Sequence, residues 1–541
     1  MPAPDLDRFS SRRSTVYGSR GVVATSQPLA AEAGVELLRA GGNAFDAAVA
    51  TAAALNVVEP MSTGLGGDVF ALYRTADGDV GALRSCGGAP AAATLDAVRE
   101  AVDGDGEAAA GTSMPFRGPH TVTVPGTARG WETTVDELGR LTLAECLAPA
   151  VRYATEGYPV SEVIAAQWDH GEELFEGDAR EAFLFDGQAP EVGQQVRLPA
   201  LGRTLERIGE VGADVVYEGD VGEAIVDTVR SKGGLLSMDD LAAFEPEFVD
   251  PISTTYNGCA VYELPPNNQG LVALEALNVA SEVGAPEAEG VERLHRLAEA
   301  TKLAFHDGHR YITDPDHEEI PPLNSRSWAR QRATQIGPEA TGDVSFLPRS
   351  RAEDADTVLL CVADDAGNVV SYINSLFAGF GSGLVAGETG IALQNRGASF
   401  SLDPDHPNRL APGKRPFHTL IPGLLDFAPE DARDDWAAFG VMGGFMQPQG
   451  HVQVVSNLAD RDLPVQRALD EPRWRYREDG TLAVEERLGA GRGFKTKLAR
   501  RGHDVRVLPP GQFGGAQLAR NDDGTLSGAT EPRKDGTVAP Y

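Results

Sequence analysis

The junction between residues 356 and 357 constrains the fold of this chain more than any other feature. Residues 337–356 form a polar stretch that contains proline and many charges and has no apolar periodicity. At Thr357 the sequence changes to Thr-Val-Leu-Leu-Cys-Val-Ala, which is typical of a buried strand. A turn at residues 364–368 then leads into a second apolar run at 369–374. The pattern predicts a flexible tether followed by a β-hairpin whose first strand begins at Thr357.

Helices are predicted on both sides of a glycine pair near the start of the chain. Residues 29–40 and 44–58 have helical patterns, and Gly41, Gly42 and Asn43 separate them. The glycines suit a left-handed C-cap, and Asn43 can cap the next helix. The second helix is apolar nearly all round, so it should be buried.

Shorter apolar runs in the same half of the chain predict strands. Residues 69–73 follow the turn-rich stretch 62–67, and residues 121–124 alternate in polarity. Because strand pairs and long helices alternate and no 20- to 50-residue repeat is visible, a layered α/β or α+β architecture is expected.

The charge balance argues against several classes of partner. The formal net charge is -33, with 47 basic against 80 acidic residues. Such a surface repels phosphate, so binding to nucleic acid or to an anionic membrane is not expected. Only six of the basic residues are lysines, and an acidic surface of this kind suits a protein from a halophilic source. An acidic protein that is not adapted to salt is the alternative.

Cysteine spacing and hydropathy give no sign of a metal site or a membrane span. The four cysteines are widely scattered, and no pair has the spacing of a zinc site. The longest mainly apolar stretch, at 47–58, is shorter than the roughly 20 residues needed to cross a bilayer. Residues 10–14 (SSRRS) are faintly similar to a twin-arginine export signal, but no apolar segment follows them before Gly21. A charged cytosolic leader, and hence a cytoplasmic protein, is therefore expected.

A series of short motifs places the Thr357 junction in a wider pattern. The motifs occur at residues 23–30 (VATSQPLA), 41–48 (GGNAFDAA), 124–126 (VPG), 298–305 (AEATKLAF), 356–359 (DTVL), 371–375 (SYINS), 379–383 (GFGSG), 387–390 (GETG), 413–416 (GKRP), 443–444 (GG) and 528–533 (GATEPR). In content and order this series resembles the gamma-glutamyltransferase superfamily over nearly the whole chain.

The resemblance implies a fold and a processing event. The fold would be the four-layer αββα sandwich of the N-terminal-nucleophile (Ntn) hydrolases. The precursor would be cut before Thr357 into a large subunit, 1–356, and a small subunit, 357–541, which remain together as a heterodimer. No metal or organic cofactor would be needed.

The freed Thr357 would supply both a hydroxyl nucleophile and an α-amine as general base. The reference pKa of such an amine, about 7.7–8.0, lies near working pH. An ordinary threonine at the start of a strand is the alternative.

Three further residues match catalytic positions of the family. Gly443 and Gly444 match the glycine pair whose N–H groups form the oxyanion hole, although a plain turn is the alternative. Ser375 stands where the family has a second hydroxyl residue beside the nucleophile. It would orient Thr357, or it would be a core-facing serine.

The substrate-binding positions depart from the family pattern. The residues that hold the substrate's α-amino group in gamma-glutamyltransferases fall here on Phe377, Arg396 and Ser399, so the amino clamp is missing. The two serines that bind the α-carboxylate map onto His418 and Thr419. The family's carboxylate arginine falls on Cys86, with Arg84 nearby but out of register.

These departures point toward the acylase-like branch of the superfamily. Three segments also resemble that branch: residues 393–397 (LQNRG), 416–420 (PFHTL) and 442–450 (MGGFMQPQG). Arg396 and Arg84 are candidates for binding a carboxylate on the acyl group, because a guanidinium matches a carboxylate bidentately. For each, a structural ion pair is the alternative. The substrate-binding candidates are Arg84, Arg396, Ser399, His418 and Thr419.

Two functional hypotheses follow. The first is a self-processing amidohydrolase or acyltransferase that cleaves γ-glutamyl or related dicarboxylate-derived amides through an acyl-enzyme on Thr357. The second is a homologue that does not process itself and binds acidic or peptidic ligands.

Overall fold

Two seven-stranded antiparallel sheets form the centre of the fold. The computed structural model of the chain describes residues 13–104, 113–342, 355–430, 433–489 and 493–541. The strands of the first sheet lie in the order β1 (Val16–Gly18), β18 (Thr525–Thr530), β17 (Gly515–Asp522), β13 (Asp435–Met442), β12 (Gly423–Asp426), β9 (Cys259–Glu263) and β8 (Ile252–Tyr256). Those of the second lie in the order β19 (Thr537–Pro540), β2 (Gly21–Thr25), β10 (Ala355–Asp364), β11 (Val369–Ala378), β3 (Asp68–Arg74), β4 (Val80–Ser85) and β7 (Glu247–Val249).

Two small sheets lie outside this centre. One has the order β14 (Trp474–Tyr476), β15 (Leu482–Glu485) and β16 (Val505–Leu508), and the other pairs β5 (Tyr158–Pro159) with β6 (Gln195–Val196).

Most of the helices precede Thr357 in the chain. They are α1 (Pro28–Arg39), α2 (Ala44–Val58), α3 (Leu95–Gly104), α4 (Thr127–Leu138), α5 (Leu143–Glu156), α6 (Glu162–Trp168), α7 (His170–Leu174), α8 (Asp178–Phe183), α9 (Pro199–Val211), α10 (Asp214–Tyr217), α11 (Asp220–Ser231), α12 (Met238–Ala242), α13 (Gly270–Glu282), α14 (Gly290–Tyr311) and α15 (Arg326–Ala333). In the part of the chain that the structure describes, four follow it: α16 (Met446–Ala459), α17 (Val465–Asp470), α18 (Glu486–Gly489) and α19 (Phe494–Ala499). None of the helices in the described ranges has both the length and the apolarity needed to cross a membrane.

Apolar side chains hold the two large sheets together. Leu359 and Ile373 from the second sheet meet Leu424 and Ala438 from the first in one buried cluster. Helices α1, α2 and α4 cover the outer face of the second sheet, and α13 and α16 cover that of the first. The result is four layers in the order αββα, so the predicted α+β fold class is confirmed.

The helix–turn–helix at the start of the chain forms as its sequence predicts. After α1 the chain turns through Gly41 at φ 101°, where Gly41 N–H donates to Leu38 and Gly42 N–H to Leu37 in a Schellman arrangement. Asn43 then caps α2 by accepting from the backbone, and the carboxylate of Asp46 accepts from Asn43 N–H in return. Every residue of α2 is buried.

The hairpin after the tether also forms, although its limits differ slightly from the prediction. β10 begins at Ala355, two residues before Thr357, and β11 extends to Ala378. The pairing runs from Ala363 opposite Val369 back to Ala355 opposite Ala378. Gly367, at φ 102°, makes the turn between the strands.

Two sequence expectations differ from the structure. The strand predicted at 121–124 does not form: a short 3-10 turn occupies Pro119–Thr121, and only Val124 pairs with the backbone of Gly87 and Gly88. Pro125, which has no N–H, ends this contact.

The first residues of the predicted flexible tether are held in place. The carbonyl of Gly337 contacts His295, and Thr341 donates to Glu299 from both its N–H and its hydroxyl. Residues 343–354 of the tether lie outside the described residues.

Asp46 stabilises the buried end of α2. Its carboxylate accepts from the N–H groups of Asn43, Arg140 and Leu141. Replacement by alanine leaves these buried and partly buried donors without their acceptor, so we expect Asp46→Ala to reduce the free energy of unfolding by about 3 kcal/mol.

The matched control is Glu145→Ala. It removes the equivalent carboxylate, at the third position of α5, from a capping box that is exposed to solvent. Its midpoint of thermal unfolding should fall much less than that of Asp46→Ala. Equal shifts for the two variants would show that burial of Asp46 adds nothing to the cap.

Candidate active site

Thr357 lies at an irregularity in the pairing of β10 with β11. Asp356 is opposite Phe377 and Val358 is opposite Asn374, so Thr357 faces two residues of β11, Ser375 and Leu376. This is a β-bulge, which redirects a side chain and often occurs beside active sites. Thr357 is buried, and its hydroxyl donates to Ser375 Oγ at 3.3 Å.

The backbone of β11 is strained directly after the bulge. Phe377 has φ 80°, a conformation that is rare for a bulky residue, and its N–H donates to Ser375 Oγ at 2.7 Å. Ser375 Oγ therefore contacts both the Thr357 hydroxyl and the strained peptide. The predicted pairing of Ser375 with Thr357 is present in the structure.

A glycine turn packs against the opposite side of Ser375. A Cβ atom on Gly67 would lie 2.3 Å from the carbonyl oxygen of Ser375, so only glycine allows this approach. Gly67 is further fixed because its carbonyl accepts from the N–H groups of Gly126 and Thr127. The turn thus sets the position of β11 beside Thr357.

Gly443 and Gly444 form the loop between β13 and α16. Their φ angles are 115° and 54°, and no described residue accepts a hydrogen bond from either N–H. Successive N–H groups in such a turn form a concave site for an anion. The amide of Gln269 holds the loop by donating to the carbonyls of Gly444, at 2.9 Å, and of Thr419, at 2.8 Å.

Packing between the sheets brings this loop to the edge at which β10 begins. The Ser371 hydroxyl, on the residue opposite Cys361, donates to the carbonyl of Phe439, and Leu359 packs against Gly440. These two contacts show that β10 and β13, which belong to different sheets, run in opposite directions where they pack. The start of β10, at Thr357, therefore lies toward the end of β13, which Gly443 follows.

Arg396 is the most unusual charged residue near Thr357. It is completely buried in the 3-10 helix Arg396–Ser399, and its guanidinium lies over the Phe377 ring at 4.6 Å from the ring centre. Nη1 donates to Thr419 Oγ1 at 2.7 Å, but Nε and Nη2 have no hydrogen-bond partner. Burial lowers the pKa of Arg396 to about 10, and Asp68 opposes this effect, so the group is charged at neutral pH.

Asp68 and His418 form a buried pair in the same region. His418 Nδ1 accepts from Leu420 N–H, which leaves Nε2–H to donate to Asp68 at 3.0 Å. Burial, with a further contribution from Arg396, lowers the pKa of His418 well below its usual value, so the ring is neutral.

The ionisation of Asp68 is set by opposing effects. Burial raises its pKa to about 7, while the charge of Arg396 and the donors on Gln394 and Gly126 act in the other direction. Those two donors and His418 all point at the carboxyl group, an arrangement that favours the ionised form.

The remaining predicted binding residues have other contacts. Arg84 uses Nε and Nη2 on Glu247 and Nη1 on the carbonyl of Pro266, which fits the structural ion pair considered as its alternative role. Ser399 is half-buried, and its carbonyl accepts from Asn408. Cys86 is buried beside Asn267, and burial raises its thiol pKa to about 12.

One cluster within the described ranges has side chains suited to a metal ion. Ligand atoms of His295, Glu299 and His503 lie within 4.8 Å of one another. The cluster is already hydrogen-bonded: His295 Nδ1 contacts His503 Nε2, and Lys302 donates to Glu299. The charge of Lys302 opposes the binding of a cation. We therefore assign a structural role to this cluster, which holds residues 337–341 in place.

The structure adds three residues that sequence reasoning did not select. Asp68, Gln269 and Gln394 are buried polar residues that contact the predicted site residues directly. The signal for Asp68 was an acidic residue between Gly67 and an apolar strand. Gln394 lies within the motif at residues 393–397, where only Arg396 was predicted to bind substrate, and Gln269 lies in a loop whose sequence does not distinguish it.

The family model for gamma-glutamyltranspeptidase matches residues 30–541. A glutathione hydrolase-like proenzyme of Bacillus subtilis (YwrD) is 36% identical over 97% of this chain and 99% of its own length. The oxamate amidohydrolase proenzyme of Klebsiella pneumoniae is 35% identical over 98% of this chain and 100% of its own.

A solved structure gives the same result for the fold. The crystal structure of a cephalosporin acylase from Bacillus halodurans has a TM-score of 0.89 and 42% identity, and the match covers 100% of this chain and 99% of that one.

Gly67 provides a test of the glycine turn. We expect Gly67→Ala to displace β11 or unfold its edge, because the new Cβ would overlap the Ser375 carbonyl, and its midpoint of thermal unfolding should fall clearly.

Gly64→Ala is the matched control in the same turn, since its Cβ would be 3.4 Å from the nearest atom, a terminal carbon of Leu376. Its unfolding midpoint should stay close to that of the wild type. A Gly67→Ala protein as stable as this control would contradict the assigned contact.

Proposed function

Because the chain belongs to the gamma-glutamyltranspeptidase family and is thereby an amide hydrolase, we propose that it cuts itself before Thr357 and uses that residue as its nucleophile. The observation that carries the proposal is the position of Thr357. Its hydroxyl lies in a bulge against Ser375, and the strand packing leads from there toward the N–H groups of Gly443 and Gly444. The large subunit would comprise residues 1–356 and the small subunit residues 357–541.

Self-cleavage needs only groups in the chain and water. Thr357 Oγ adds to the carbonyl carbon of the preceding residue, and its proton passes to the amide nitrogen of Thr357 as the peptide C–N bond breaks. An ester thereby replaces the amide. Water then hydrolyses the ester. The products are a carboxylate on residue 356 and a free α-amine on Thr357.

The same groups support turnover of an external amide. The α-amine accepts the proton of Thr357 Oγ as the oxygen attacks the substrate carbonyl. The N–H groups of Gly443 and Gly444 stabilise the oxyanion, and loss of one such donor typically costs about 100- to 1,000-fold in rate. The amine product leaves with the proton, and water or an acceptor amine releases the acyl group from Thr357.

Ser375 acts in this scheme as a positioning residue. Its Oγ contacts the Thr357 hydroxyl and also accepts from Phe377 N–H, so it fixes the nucleophile relative to the strained segment of β11. Gln269 has a corresponding role for the oxyanion loop, since it holds the carbonyl of Gly444.

The substrates proposed are γ-glutamyl or related dicarboxylate-derived amides. The relatives' names refer to glutathione, oxamate and cephalosporin, so family membership alone does not select the acyl group. Arg396 lies over the Phe377 ring and donates to Thr419, and its charge acts on His418, which supports a role for these polar residues in binding the acyl group. We also retain, as proposals from composition, a cytoplasmic location and adaptation to high salt.

Thr357→Ala tests the processing step. We expect the purified variant to stay as one full-length band on a denaturing gel and to have no amidase activity, because the nucleophile is absent. Thr357→Ser, which keeps a hydroxyl at the same position, is the control and should still give two bands.

The wild-type protein should give two bands at the sizes of residues 1–356 and 357–541, in buffers of high salt. A persistent single wild-type band would support the alternative, a homologue that binds acidic or peptidic ligands without processing. Two normal subunits from Thr357→Ala would exclude this cleavage position.

The α-amine predicts a pH dependence. Only its unprotonated form accepts the Thr357 proton, so kcat/KM for an uncharged amide should rise with pH and level off above an apparent pKa of about 8. Initial rates between pH 5 and 10 on the processed protein measure this. A rate that falls across the range from pH 6 to 8 would contradict an amine base.

A further inference from the structure

Arg396 has the features of an incomplete ion pair. It is fully buried, and within the described ranges no carboxylate forms an ion pair with it. Nε and Nη2 are both left without an acceptor, although they are adjacent on one edge of the guanidinium. Buried charged groups are normally paired, and an unsatisfied charged donor is costly. The vacant edge matches the two oxygens of one carboxylate.

The surroundings hold the guanidinium in a fixed orientation. Thr419 accepts from Nη1 on one edge, and the Phe377 ring lies against the flat face. Both are connected to the reacting groups: Phe377 N–H donates to Ser375, and the Thr419 carbonyl accepts from Gln269, which also holds Gly444. Arg396 is therefore linked through Phe377 and Thr419 to the groups that surround Thr357.

Asp68 offsets the charge of Arg396 without occupying this edge. Its oxygens accept from Gly126 N–H, Gln394 and His418, and it is completely buried. An acidic group already surrounded by three donors is poorly placed to receive a substrate ammonium. The charge facing the acyl group is accordingly positive.

On the basis of the proposed function, we propose that Nε and Nη2 of Arg396 bind a free carboxylate at the end of the acyl group, which makes the substrates monoamides of dicarboxylic acids without an α-amine. An α-ammonium beside this carboxylate would lie near the guanidinium and would be repelled. The amide carbonyl would then lie between Thr357 Oγ and the N–H groups of Gly443 and Gly444.

The first test uses the wild-type, processed protein in high salt. Succinyl, glutaryl and adipoyl p-nitroanilides are each compared with the neutral analogue in which a carboxamide replaces the terminal carboxylate. We expect kcat/KM for at least one acid to exceed that of its neutral analogue by about 100-fold, because its two charge-assisted hydrogen bonds are lost in the analogue. No acid exceeding its analogue would overturn the proposal.

The second test compares acyl groups that differ by an amine. Glutaryl p-nitroanilide should be hydrolysed at least as efficiently as γ-glutamyl p-nitroanilide. A preference of more than about tenfold for the γ-glutamyl compound, equivalent to about 1.4 kcal/mol, would show that an ammonium acceptor exists and would overturn the proposal.

The third test assigns the effect to one arginine. Arg396→Met should bring the ratio between acid and neutral analogue close to one, and Arg396→Lys should retain part of it. The control Arg84→Met removes the other candidate arginine, which is ion-paired with Glu247, and should leave the ratio unchanged. A ratio that falls in Arg84→Met and persists in Arg396→Met would contradict the assignment. Ratios within one protein are insensitive to a general loss of folded material.

A measurement of binding in the absence of turnover distinguishes the carboxylate site at Arg396 from the proposed amidase activity. Glutarate should raise the midpoint of thermal unfolding of the wild-type protein, whereas butyrate, which lacks the second carboxylate, should not. If glutarate binds and no anilide is hydrolysed, the carboxylate site stands and the amidase proposal fails. If neutral anilides are hydrolysed and glutarate has no effect, the amidase proposal stands and the carboxylate site is excluded.

Discussion

The irregular pairing of β10 with β11 is the constraint on which the rest of the site depends. At Thr357 one residue of β10 faces two of β11, and the extra residue is accommodated by the strained backbone of Phe377. Such strain persists only where neighbouring structure fixes it. Here Gly67 packs on the Ser375 carbonyl, and Ser375 Oγ accepts from Phe377 N–H. The position of the Thr357 hydroxyl is thus determined by β10, β11 and the glycine turn that packs on β11.

A second constraint comes from the buried charges beside this bulge. Arg396 and Asp68 share a region from which water is excluded, and each changes the pKa of the other in the direction that favours ionisation. His418 stays neutral there because burial and the guanidinium both disfavour its protonated form. The polar groups around Arg396 are therefore coupled electrostatically, and the ionisation of each depends on the others.

The sequence was sufficient for those parts of the structure that local chemistry determines. The cap at Asn43, the left-handed turn at Gly41 and the hairpin after Thr357 follow from residue type and short-range spacing. The strand predicted at residues 121–124 does not form, because an alternating pattern alone does not supply a partner strand.

Long-range pairings could not be predicted in this way. Arg84 meets Glu247 across two paired strands, and Asp68 at the start of β3 meets His418 in the loop before β12, so neither contact leaves a local trace in the sequence. Arg396 is a candidate from its place in the family pattern, but its burial and its unpaired Nε and Nη2 are tertiary properties that the sequence does not contain. Both sheets also interleave strands from before and after Thr357, so neither segment has a core of its own. Once the chain is cut, refolding from the unfolded state would require two separate polypeptides to find each other, which makes unfolding a one-way event whose rate sets the working lifetime of the protein.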